Sequence, residues 1–191
     1  MKQLEENLFE KIQCMVENLP WDHKTNLSYY QSCVHEAAHA VVSLWIYKTF
    51  NNPEDLVQLT LEVEGPRGGT ALRKHGNGNF WLLSVIPVFI DKLRQLSGAI
   101  LSDEYFAYFY KFKRILWDSW ELMKEYGAWS DIKKAEHKGV IGAYIDRLIL
   151  RLSYQNRAVR LLHLWLIYDL LKRNGLFVIK DPMKYLKERE L

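Results

Sequence analysis

The chain has 191 residues, 49% of them hydrophobic and 26% charged, which suits one domain with a real core and excludes a disordered chain. Its 26 Lys+Arg against 23 Asp+Glu leave a formal charge of +3, too small a surplus to make nucleic acid or an anionic membrane the main partner. Two cysteines, Cys14 and Cys33, are too few for a disulfide scaffold, and the longest uncharged apolar stretch is the 11 residues from Phe80 to Ile90. A membrane-spanning helix needs about 20. The first residues, Met1-Lys2-Gln3-Leu4-Glu5-Glu6, turn acidic without an apolar signal core, so the expected location is the reducing cytoplasm.

Leu4, Leu8, Ile12, Met15 and Leu19 recur at helical spacing and predict a first helix over residues 1–20, closed by Pro20. Asn26 or Ser28 is the expected cap of a second helix that runs to about Lys48, with Val34, Ala38, Val41, Val42 and Trp45 among its apolar members. Asn51-Asn52-Pro53 breaks the chain, and Leu56 to Val63 predicts a strand. The Gly65-Pro66-Arg67-Gly68-Gly69 turn offers Thr70 to Arg73 as a returning second strand, and Gly76-Asn77-Gly78-Asn79 reads as a loop. From Pro87 to Tyr126 the pattern is helical and aromatic until Gly127. Ser130 can cap a helix to about Leu152, and a last helix covers Gln155 to Arg173 with Asn174-Gly175 as its stop. The expectation is a single domain over residues 1–191, mainly α with a small β element (α+β), its strand or hairpin lying beside the second helix.

One short segment carries chemistry: Val34-His35-Glu36-Ala37-Ala38-His39-Ala40-Val41-Val42. This is His-Glu-x-x-His inside a helical apolar pattern, and residues four apart lie one turn above each other, so both imidazoles can reach one metal ion. Zinc suits two neutral imidazoles and a carboxylate, with a fourth position left for water. Glu36 stands where its carboxylate can meet that water, take its proton during attack on a carbonyl and deliver it to the leaving amine. The bland alternative is a helix that happens to carry two histidines and a glutamate on a partly exposed side.

The segment Tyr30 to Val42 resembles the active-site helix of the FtsH-type zinc metallopeptidases, whose motif is His-Glu-Ala-Gly-His-Ala. Val57-Gln58-Leu59-Thr60-Leu61 and Pro66-Arg67-Gly68 resemble that family's strand and turn. Leu96-Ser97-Gly98-Ala99 through Asp103-Glu104 is similar to its Gly-Arg-Ala-Ala-Glu-Glu helix, and Trp129 through Ala135 to its Ser-Asn-Asp-Leu-x-x-Ala segment. The last helix, through Leu170-Leu171 and Asn174-Gly175-Leu176, is similar as well, so the likeness runs over roughly residues 28–180. The resemblance implies a helical peptidase-like domain that holds Zn2+ through His35, His39 and, as third ligand, Asp131, with Glu36 as general base. It further implies cleavage of peptides or unfolded polypeptides, ring-like homo-oligomers and a separate unfoldase ATPase as partner, since no P-loop sequence is present. Ala38 stands where the family has Gly. Asp131 lies far downstream of His39, and the extra length falls in residues 105–126, read as an added helical hairpin or extension.

Other candidates are weaker. Glu104, Asp103 and Glu136 are the fallback ligands should Asp131 be a first-turn acid favoured by the helix dipole alone. Cys33 reads as a small core residue, and His23, His75, His137 and His163 have no partner at ligand spacing, His163 reading as a satisfied core histidine. In Tyr105 to Arg114 aromatics and cations interleave, but Phe109, Phe112, Leu116, Trp120 and Met123 share one stripe, which favours a core or subunit interface over nucleic acid. The competing class is a catalytically silent peptidase-like module for peptide binding or oligomerisation. A hydrolase of some other amide is a third, because the motif specifies water activation and not the substrate.

Overall fold

A computed structural model of the chain describes residues 2–50, 59–63, 86–110, 140–189 and 191. Its elements are α1 (Lys2–Glu17), α2 (His23–Phe50), β1 (Leu59–Glu62), α3 (Ile86–Phe109), α4 (Val140–Ser153), α5 (Arg157–Lys172), β2 (Leu176–Ile179) and α6 (Pro182–Lys187). The fold, among the described residues, is mainly helical with one two-stranded antiparallel sheet. Among the described residues no helix is long and apolar enough to cross a membrane.

Helix α2 is the centre of the fold, packed between α3 and α5, with α1 against α5 and α4 against α3. Its middle is apolar on nearly every side: Val34, Ala37, Ala38, Ala40 and Leu44 are wholly enclosed. Such all-round burial needs small residues where helices cross closely, and the alanines at 37, 38 and 40 provide them. The cap differs from the expectation. Helix α2 begins at His23, and Asp22 rather than Asn26 or Ser28 caps it, accepting from the Thr25 N–H at 3.1 Å and the Thr25 hydroxyl at 2.6 Å. A carboxylate is the stronger acceptor at the positive end of a helix, and these bonds hold Asp22 below its usual carboxyl pKa. Asn26 instead donates to the carbonyl of Leu19 at 3.3 Å and so ties the chain entering α2 to the end of α1.

The strand beside α2 is present as β1, but its partner among the described residues lies at the other end of the chain. Residues Leu59, Thr60, Leu61 and Glu62 pair with Ile179, Val178, Phe177 and Leu176 of β2. Leu59, Leu61, Phe177 and Ile179 share the buried face. The chain reaches this register through the end of α5, where Asn174 (φ 52°) and Gly175 (φ 87°) are left-handed and the Gly175 N–H bonds the Leu170 carbonyl at 2.9 Å. Gly175 then accepts from the Val63 N–H at 2.8 Å, and a Cβ at 175 would collide with the Val63 carbonyl, so only glycine suits both the turn and the close approach. The expected Gly65–Gly69 turn, the Thr70–Arg73 strand, the Ser130 cap and residues 111–126 of the expected insertion lie outside the described residues. Tyr105, Phe106 and Phe109 continue α3, and Tyr105 is fully buried against Phe9, Tyr30 and His163.

His163, on α5, braces the centre of α2. Its Nε2 lies 2.9 Å from the Val34 carbonyl and its Nδ1 3.1 Å from the Tyr154 hydroxyl. A carbonyl can only accept, so Nε2 carries the proton and Nδ1 accepts from Tyr154. Burial favours this neutral ring and pushes the pKa from 6.5 down to about 4. The folded state therefore disfavours the proton: the contribution of His163 is complete above about pH 6.5 and is lost as pH falls toward 4, a change of about 3 kcal/mol. Urea unfolding at pH 7 and pH 4.5 should reveal that loss, and His163→Asn should unfold with a flatter pH dependence. Equal slopes for wild type and variant would refute it.

Candidate metal centre

His35 and His39 lie one turn apart on α2, and their rings meet edge to face with centroids 4.7 Å apart. The two Nε2 atoms are 3.1 Å from each other. Metal–nitrogen bonds of 2.0–2.1 Å at a tetrahedral angle would separate two ligand nitrogens by roughly 3.3 Å, so the pair stands close to the edge of a zinc tetrahedron. The same separation serves an N–H···N hydrogen bond when no ion is held. With Glu36, the pair forms a group in which one donor atom of each residue lies within 4.8 Å of the others. Glu36 and His39 are buried and His35 is half-buried, so the group sits within the protein wall and remains reachable from the His35 side.

Helix α3 closes over this group. Ser97 Oγ, fully buried, lies 3.4 Å from His39 Nδ1, the nitrogen that does not face His35. At Gly98 the backbone of α3 comes so near the two imidazoles that a Cβ would lie 2.5 Å from His39 Nε2 and 2.7 Å from His35 Nε2. The donor set therefore fits zinc on three counts: borderline-soft imidazoles, ring nitrogens turned toward each other and a carboxylate beside them.

The fallback ligands among the described residues are elsewhere. Asp103 and Glu104 face Arg151 of α4 at 3.5 and 3.6 Å, so their charges join α3 to α4. Cys33 is fully buried, which pushes its thiol pKa up and keeps it a thiol, as expected for a core residue. His23 is exposed at the start of α2, and His163 is bound as described above. Asp131, Glu136, His75 and His137 lie outside the described residues. Ser97 and Gly98 were assigned no role from the sequence, although a lone Gly within an apolar helical run is a signal of close approach.

Comparison of the chain with protein-family models, with curated proteins and with solved structures found no match.

Proposed function

We propose that the chain is a zinc-dependent metallopeptidase similar to the peptidase half of the FtsH-type proteases. The observation that supports this reading is the convergence of His35, Glu36 and His39 on a buried helix, with the ligand nitrogens at near-tetrahedral separation. His35, His39 and Asp131 would hold the ion. Zinc in such a site supplies an acidified water and polarises the scissile carbonyl. Glu36 would take the proton from the attacking water and return it to the leaving amine, its position on α2 keeping it one residue from the first ligand. An extended peptide would pair with the strand that contains β1, main chain to main chain. The substrates would be peptides or already unfolded chains in the cytoplasm, delivered in some cases by a separate unfoldase.

Metal content tests the ligand set. Wild type purified without chelator should carry close to one zinc per chain, and His39→Ala and Asp131→Ala should each lose it. Zinc retained in Asp131→Ala but lost in His39→Ala would move the third ligand to another carboxylate. A wild type that carries none and cannot be loaded would overturn the peptidase reading in favour of a silent peptide-binding or oligomerisation module.

A further inference from the structure

The Ser97–Gly98 step of α3 meets the two imidazoles at two separate points. Ser97 is wholly enclosed, and its hydroxyl faces His39 Nδ1 at 3.4 Å. A hydroxyl that accepts from Nδ1–H selects the tautomer whose lone pair is on Nε2, the nitrogen turned toward His35. Gly98, the next residue, is packed so tightly that a methyl group would lie within 2.5 Å of both His35 Cε1 and His39 Nε2. Those atoms are the tips of rotatable side chains. An alanine at 98 is therefore accommodated by swinging an imidazole away, which spares the helices and separates the two nitrogens.

We propose that α3 is a built part of the metal centre: Gly98, by lacking a side chain, allows the His35 and His39 rings to converge, and Ser97 is a positioning residue that orients His39. This rests on the metal-site reading above and extends it to a second helix, where the sequence alone assigned no role to Ser97 and Gly98. It also accounts for the docking of α3 across the centre of α2, where the two backbones must approach closely.

The test is titration of metal-free protein with Co2+, read by its d–d absorption and by competition with a chelator, with the thermal melt of each metal-free form. Wild type should bind one Co2+ per chain. Gly98→Ala should melt cooperatively yet bind at least about 100-fold more weakly. Ser97→Ala should lose about 10–100-fold in affinity, as removal of an outer-shell partner does, with an altered Co2+ absorption band. Ser43→Ala is the control, because the Ser43 hydroxyl bonds the His39 carbonyl at 3.2 Å and not the ring, and it should bind as wild type. Should Gly98→Ala not fold, the comparison of Ser97→Ala with Ser43→Ala decides. Wild-type binding by Ser97→Ala, or an equal loss in Ser43→Ala, would overturn the role of Ser97. Wild-type binding by Gly98→Ala would overturn that of Gly98, and both leave the metal site standing. A wild type that takes up no Co2+ would overturn the metal-site reading and this inference with it.

Discussion

Glu36→Gln should hold zinc as wild type does and cleave unfolded casein about 10²–10⁴-fold more slowly, the range for loss of a general acid–base. Glutamine keeps the shape of the side chain at a site that is 8% exposed, so the helix and the imidazole pair should be undisturbed. Its amide cannot accept the proton of an attacking water, and the barrier should rise by about 3–5 kcal/mol. Zinc content measured beside casein cleavage separates the roles of the carboxylate. Loss of the ion in Glu36→Gln would make Glu36 a ligand instead of a base. Wild type that binds zinc and cleaves nothing would direct attention to the silent module, and undiminished cleavage by the variant would remove Glu36 from the mechanism.

Glu5→Ala should destabilise the protein by about 3–5 kcal/mol, a large part of the 5–15 kcal/mol typical of a folded domain. Glu5 and Arg160 are 3% and 9% exposed, and Arg160 Nε lies 3.1 Å from Glu5 Oε1. The same guanidinium donates through Nη1 to the carbonyls of Tyr154 and Gln155 at 3.0 and 2.7 Å and stacks 4.5 Å over the Tyr108 ring. One cation thereby joins α1, α3, α5 and the turn before α5. Without Glu5 it remains buried by its other partners with its charge uncompensated, and that desolvation is the cost. For a chain of this length the melting temperature should fall by roughly 10 °C. The double change Glu5→Leu with Arg160→Met should cost less than the sum of the two single changes, because it removes the stranded charge. Strict additivity in urea unfolding would mean that the two groups do not act as a pair.

Much of this was legible in the chain itself. Helical spacing in α1, the His-Glu-x-x-His run on α2, the strand at Leu59–Glu62 and the Asn174-Gly175 stop are local signals, because propensity, periodicity and turn chemistry act within a few residues. The mainly α fold with a small β element follows from them, and so does the core role of His163. The short α6 was not expected from the sequence, although Asp181-Pro182 is a signal of the same local kind: Asp181 accepts from the Lys184 N–H at 2.9 Å and caps it.

What the tertiary structure decided is long-range. The pairing of β1 with β2 joins residues more than a hundred positions apart, and no turn chemistry announces it. The cap of α2 went to Asp22, four residues ahead of Asn26 and six ahead of Ser28, because the first N–H groups of the helix and the end of α1 meet there. Asp103 and Glu104, acidic residues that could have served a metal, were claimed by Arg151 once α4 packed on α3. Ser97 and Gly98 acquire a meaning beside His35 and His39 only when α3 crosses α2. Spacing in the sequence determines which side chains share a turn of one helix. Which groups of another helix meet them is determined by how the apolar faces pack, and that is a property of the whole chain.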